Sequence, residues 1–288
     1  MKSSKENHHV PTSESTIMNK SLPGALGIPE WMPPYRRRTY KVMKEEKFPE
    51  LTGRMLKCIA LLFMIVDHSA VVFVERGILQ NQNSLFLPFA LTDLGKRWQN
   101  IDFILRCAGR LAFPVFAFLL VEGFVHTRHK KRYGQRLFIF ALLSEIPFDL
   151  AIFGQMVYPK YQNVMFTLLI AFLTLCAAER FWNHRLGRMI FLLIGCLAAE
   201  FLRADYGAMG VMFIVLLYLF RDSGIQLKVA AAMAVLESLS CCGAALLGVL
   251  LLRCYHGNEG KWPGKSLFYL AYPGHLLLLA WLYSVVFS

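Results

Sequence analysis

The sequence predicts an all-α membrane protein: a polytopic helical bundle of about eight transmembrane helices behind a disordered N-terminal tail. Three observations carry this prediction. The chain is 56% hydrophobic and 14% aromatic with a mean hydropathy of +0.44, too apolar for an ordinary soluble domain. Apolar runs of about 20 residues or slightly fewer, the length needed to cross hydrocarbon, recur along it. Lysine and arginine gather in the tail and in particular loops beside those runs, as topology signals do.

The first 50 residues are polar, contain Pro23, Pro29, Pro33 and Pro34, and show no helical or strand period. They are expected to form a disordered basic extension. Without an apolar h-region they do not read as a cleavable signal peptide. Arg36, Arg37, Arg38, Lys41, Lys44, Lys47, Arg54 and Lys57 lead up to the first span. This bias puts the N-terminus in the cytoplasm and the protein in the cell membrane as a multi-pass chain. Residues 51–288 are expected to be its one transmembrane domain.

The spans read Leu56 to Val74, Phe103 to Val125, Leu137 to Phe153, Val164 to Phe181, Met189 to Leu202, Tyr206 to Phe220, Val229 to Leu252 and Leu267 to Phe287. The fifth is short. The seventh contains Glu237 and Ser238, then Ser240, Cys241, Cys242 and Gly243, where one long helix could break into two. Two loops, one with Arg128, Lys130, Lys131, Arg132 and Arg136, the other with Arg180, Arg185 and Arg188, agree with a cytoplasmic start. The loop with Arg253, Lys261 and Lys265 falls outside if the seventh span is whole and inside if it is broken; its charge favours inside.

The net charge of +12 therefore follows orientation, not nucleic acid. There is no internal repeat, no nucleotide-binding glycine loop and no nucleic-acid module. Seven cysteines are an odd number, and Cys58, Cys107, Cys176, Cys196, Cys241 and Cys242 sit in apolar runs. They read as reduced packing residues. No spacing resembles a zinc site, and no metal is expected.

Ionisable residues inside the spans are the chemical signal. A charge near mid-bilayer costs at least about 2.5–3.5 kcal/mol, so such residues face a protein interior, pair, and mark a pathway or a reaction. On the first span Asp67 and His68 stand past the midpoint. An imidazole can take a proton from an amine or hydroxyl and return it to a thiolate. Neighbouring helical residues diverge by about 100°, so Asp67 is not assumed to orient His68. A packing histidine is the alternative.

On the second span Arg106 and Arg110 share a face, as do Glu122 and His126, with Pro114 between them expected to kink the axis. An arginine in a dry site is a natural clamp for phosphate or an oxyanion; Arg106 could instead snorkel to the interface. On the third, Glu145 and Asp149 flank Pro147, which is expected to interrupt the helix. The two carboxylates could share a proton or pair with Arg110. On the eighth, Pro273 and Gly274 loosen the backbone before His275, the second candidate base.

These residues fall in words that resemble the TraX family of membrane proteins. The words are LKCIALLFMIVDH (56–68), GRLAFPVFAFLLVEGFVHTR (109–128), RLFIFALLSEIPFDL (136–150), QNVMFTLL (162–169), ADYGAMGV (204–211), YHGNEG (255–260) and FYLAYPGH (268–275). The best-known member is implicated in acetylating the N-terminal amine of conjugative pilin, and the family is similar to polytopic membrane acyltransferases. The resemblance implies transfer of an acetyl group from acetyl-CoA, or another acyl group from its acyl-CoA, to an amine or hydroxyl. The acceptor would be membrane-associated or extracytoplasmic: a pilin-like peptide, a lipid or a glycan.

By the same resemblance the base is His68 or His275, with Asp67, Arg110 and Glu122 in the catalytic group. Glu145, Asp149, Asn163, Asp205 and Tyr206 line the site. Asp205 stands at a helix start, where it could instead be a cap. The loop of Arg128, Lys130, Lys131 and Arg132 is an electrostatic candidate for coenzyme A phosphates and no family motif. His256 departs from the asparagine expected in the YHGNEG word, and the tail lies outside the match.

Two other classes fit part of the pattern. A secondary transporter would also carry charges and a broken helix at mid-membrane; inverted sequence symmetry would favour it, and the sequence displays none. A non-catalytic assembly factor would tolerate loss of both histidines.

Overall fold

The computed structural model describes residues 50–80, 89–181, 184–260 and 265–287. The expected disordered tail lies outside them, as does Lys261. The described residues form helices and no strand, with isolated bridges joining Leu51 to Tyr255 and Gln162 to Ala204.

Helix α1, Gly53–Ser69, continues as a π-helix over Ala70–Gln80. Its N-terminus is closed three ways. Thr52 Oγ accepts the Met55 N–H at 3.2 Å, while the carbonyls of Asn258 and Glu259 accept the N–H groups of Gly53 and Arg54 at 2.7 and 3.1 Å. The YHGNEG word is thus a cap that supplies backbone acceptors to orphan helical donors. Burial lowers the His256 imidazole below its ordinary pKa, with Glu50 opposing the shift. Leu56, Ala60, Met64 and His68 recur every four residues as the buried stripe of α1.

Helices α2 (Asp93–Gly109) and α3 (Ala112–His126) make the second span, and the chain breaks at Arg110 and Leu111. The kink expected at Pro114 therefore occurs earlier. Pro114 falls in the first turn of α3, where its missing N–H has no partner to lose. Gly109 allows the approach of α1, because a Cβ there would collide with the Asp67 side chain.

Helix α4, Lys130–Phe153, runs unbroken through the buried Pro147, so the expected interruption does not occur. Its C-terminal carbonyls are satisfied from α1. Arg76 Nη1 donates to Leu150 and Ala151 at 2.9 and 3.0 Å, and the same guanidinium lies 3.9 Å from the Tyr283 ring. Helices α5 (Val164–Arg180), α6 (Arg185–Phe201) and α7 (Gly207–Leu219) follow as an antiparallel set.

The seventh span is broken. Helix α8 (Gln226–Glu237) turns back into α9 (Ala245–Arg253), with Cys242 and Gly243 at φ 52° and 74°. Ser238 staples the reversal: its Oγ donates to the Ala234 carbonyl at 2.6 Å and accepts the Ala245 N–H at 3.1 Å. At Gly248, α9 packs directly on the Leu111 carbonyl. The hairpin enters the bundle and leaves on the same side, so Arg253 and the α1 N-terminus share one end of the molecule. The final helix, α10 (Lys265–Phe287), starts there and runs parallel to α1. Each of the eight apolar runs thus maps in order onto a helix or helix pair.

Among the described residues, three helical stretches are long and apolar enough to cross a membrane: Gly53–Gln80, Asp93–His126 and Phe268–Phe287. Outward-facing leucines and isoleucines on α4 and α6, among them Ile139, Leu143, Leu193 and Leu197, give the bundle an apolar exterior. All seven cysteines are free thiols.

Gly248→Val would push α9 off the Leu111 carbonyl and is expected to cost about 1–3 kcal/mol, lowering the thermal unfolding midpoint in detergent. Gly224→Ala, whose methyl meets nothing within 4 Å, is the control that leaves the midpoint unchanged.

Candidate functional site

His68 and His275, 207 positions apart, meet in the bundle interior with His68 Nδ1 2.7 Å from His275 Nε2. Both side chains are buried. The rings are 12° from coplanar, and a nitrogen contact this short is an in-plane hydrogen bond, not face stacking. Its direction follows from the next link. His275 Nδ1 lies 2.9 Å from the Ala271 carbonyl, which can only accept, so Nδ1 carries the proton. In the neutral ring Nε2 is then bare and accepts from His68 Nδ1–H. His68 Nε2 is left with a lone pair, and His275 fixes the tautomer of His68.

Asp67 turns away from this pair, as its 100° offset requires. It accepts from Arg106 at 2.7 Å, and Arg106 also meets Glu75 at 3.2 Å. Arg106 therefore bridges α1 and α2. Arg110 pairs with Glu237 at the hairpin tip, 2.7 Å away, and its guanidinium stands 5.9 Å from the Tyr206 ring. Tyr206 in turn stacks on Phe113, with centroids 3.7 Å apart. The expected pairing of Arg110 with the α4 carboxylates does not occur, because the break after α2 aims it at α8.

Those carboxylates have separate partners. Glu145 receives the side-chain amide of Asn163, whose own Oδ1 caps α5 by accepting the Met165 N–H at 3.0 Å. The same amide donates to the Ala141 carbonyl at 2.9 Å, so the fully buried Asn163 ties α4 to α5. Asp149 accepts the Tyr158 N–H at 2.6 Å. Asp205 caps no helix; it receives the Tyr161 hydroxyl at 2.9 Å, and Tyr206 occupies the α7 cap position. A capping carboxylate needs the position Tyr206 holds.

A cavity of about 340 Å³, within the roughly 300–1,000 Å³ range of small-molecule sites, lies beside the pair, and neither His68 nor His275 lines it. Its mouth, at the end where α1 begins, carries Arg54, Lys57 and Arg136, together with Glu259, Glu122 and His126. Glu122 and His126 face each other at 3.6 Å. Further in, the wall is Leu61, Met64, Phe116, Leu120, Leu168 and Tyr272. Met64 stands one turn before His68, and Tyr272 one turn before His275. From Lys57 to His68 is eleven residues, about 16 Å along α1.

The basic loop lies on the same end, outside the cavity lining. Arg128, Lys131 and Arg132 are exposed, while Lys130 pairs with Glu179 and sits 4.2 Å over the Phe124 ring. Sequence reading passed over Arg54, Lys57 and Arg136 as topology signals. It read Glu237 only as part of a helix break, and it did not single out Glu75, Tyr161 or Tyr272. Of these, Glu237, a carboxylate in an apolar run, carried a readable signal.

A family profile described as TraX protein matches residues 52–283. The chain is 30% identical over 256 residues to the probable fimbrial assembly protein FimC, serogroup H1, of Dichelobacter nodosus, covering 80% of this chain and 95% of that protein. No solved structure matches.

Two measurements check this geometry. Nitrogen-15 NMR of labelled histidine should find both rings as Nδ1–H tautomers; an Nε2–H signal from either overturns the relay. Arg110→Met should cost about 3–5 kcal/mol by stranding the Glu237 charge, and adding Glu237→Leu should recover most of that loss in thermal unfolding.

Proposed function

Because the chain belongs to the TraX family, we propose that it is an integral membrane acyltransferase. It moves an acetyl group from acetyl-CoA to an amine or hydroxyl of a membrane-associated acceptor. The observation that carries this reading is a cavity whose mouth carries Arg54, Lys57 and Arg136 beside Glu122 and Glu259, and whose apolar wall ends one turn short of a histidine pair. A donor suited to it has phosphates at one end and a reactive thioester about 16 Å away on a thin arm, the shape of an acyl-coenzyme A. Residues 51–288 act as one catalytic domain.

Orientation supports the same donor. Arg54, Lys57, Arg128, Lys130, Lys131, Arg132, Arg136, Arg180, Arg185 and Arg188 all lie at the end where α1 begins, so the positive-inside bias turns the cavity mouth to the cytoplasm of the cell membrane. Acyl-coenzyme A is made on that side. The acceptor approaches the dyad from the other side; its classes are a pilin-like peptide, a lipid and a glycan. Similarity to a protein named as a probable fimbrial assembly protein favours the peptide.

In this mechanism His68 Nε2 removes a proton from the acceptor N–H or O–H as that atom attacks the thioester carbonyl carbon. The tetrahedral intermediate collapses with cleavage of the carbon–sulfur bond, and the imidazolium proton passes to the departing thiolate. His275 Nε2 accepts from His68 Nδ1 throughout and steadies the charged ring.

The test is detergent-purified protein with radiolabelled acetyl-coenzyme A and a membrane extract as acceptor. His68→Ala is expected to slow coenzyme A release by about 10²–10⁴-fold, and Arg54→Ala with Lys57→Ala to raise KM with little change in kcat. Folded wild type that neither binds nor turns over the donor would refute the enzyme and leave transport or a non-catalytic assembly role.

A further inference from the structure

Acyl transfer needs a third group besides the base and its orienting partner: a donor for the oxygen that becomes negative when the thioester carbonyl is attacked. Arg110, the side chain the sequence suggested, is held by Glu237 at 2.7 Å and does not line the cavity. At the inner end of the cavity Leu61, Met64 and Leu168 are apolar. One polar side chain stands among them. Tyr272 is buried, lines the cavity, and has its ring centroid 6.1 Å from that of His68 and 5.6 Å from that of His275.

The hydrogen-bond inventory of this phenol is incomplete. Its oxygen lies near the Val164 backbone N–H, the first of α5, yet the hydroxyl makes no hydrogen bond of normal geometry. Approach by an N–H uses the oxygen as acceptor and leaves the O–H proton uncommitted. The next tyrosine outward, Tyr269, differs: it engages Arg136 and Tyr133. A buried hydroxyl without an acceptor is a costly feature unless a ligand completes it.

Resting on the acyltransferase reading, we propose that Tyr272 is the oxyanion donor of the reaction. Its O–H donates to the carbonyl oxygen of the acyl donor as that oxygen gains charge. When the carbon–sulfur bond breaks and the carbonyl re-forms, the hydrogen bond relaxes, and the phenol keeps its proton. Tyr272 and His275 share a face of α10 three residues apart, so one helix carries both the donor and the orienting histidine.

The experiment compares wild type, Tyr272→Phe and His68→Ala in single-turnover coenzyme A release, with binding of a non-reactive thioether analogue of acetyl-coenzyme A measured on each. Tyr272→Phe keeps the ring and is expected to lose about 10²–10³-fold in rate while analogue affinity holds. A rate close to wild type, or affinity falling in step with rate, overturns the proposal. If Tyr272→Phe misfolds, a fluorinated tyrosine at position 272 keeps the hydroxyl; the rate should follow phenol acidity, and a rate indifferent to it overturns the proposal. Absence of turnover in folded wild type defeats the acyltransferase reading itself, which Tyr272→Phe alone does not touch.

Discussion

In an apolar surround, a helix end or a charge without a partner costs several kcal/mol, and the middle of this bundle contains both. The junction of α2 and α3, the tip of the α8–α9 hairpin and the start of α7 meet there. Arg110 and Glu237 close that junction. Such a pair gains little over well-packed apolar side chains, yet stranding one member costs about 3–5 kcal/mol, a large share of the 5–15 kcal/mol that holds a typical domain together. Its contribution is specificity: the hairpin tip has one depth at which its carboxylate is satisfied. That depth presents Gly248 to the Leu111 carbonyl and holds α3 as a cavity wall.

The histidine pair depends on a second satisfied chain. The Ala271 carbonyl orders His275, which orders His68, so a backbone atom of α10 determines which nitrogen of α1 is basic. This needs α1 and α10 parallel and in register, and the capping loop Tyr255–Gly260 fixes that register by tying the start of α1 to the chain leading into α10. Asp67 contributes from the opposite face, where Gly109 lets α2 close over it and Arg106 joins it to Glu75. The first span therefore sorts its adjacent acid and base by rotation alone.

Much of this architecture was legible in the sequence. Apolar runs gave the helices, the polar interval from Glu237 to Gly243 gave the hairpin, and buried charges gave the membership of the polar layer. Partnerships were not legible, because pairing such as that of His68 with His275 depends on packing between distant helices. Proline was read too literally. Pro114 falls in a first turn, where no hydrogen bond is lost, and Pro147 lies in a helix that continues through it. The cavity mouth was hidden for another reason: Arg54, Lys57 and Arg136 occupy separate turns of two helices and form no motif until these pack together.

The cap on α1 shapes what the cavity mouth can recognise. Helix N-termini often cradle phosphate with free backbone N–H groups, but here those of Gly53 and Arg54 are spent on Asn258 and Glu259. Attraction of an anion falls to long side chains acting through water, where a Debye length of about 8 Å limits their reach at physiological salt. Such a mouth measures charge and is nearly blind to shape. On the proposed reading, discrimination among acyl-coenzyme A donors would thereby be deferred to the apolar stretch beyond, where a longer acyl group would meet Met64 and Leu168 before its carbonyl reached His68.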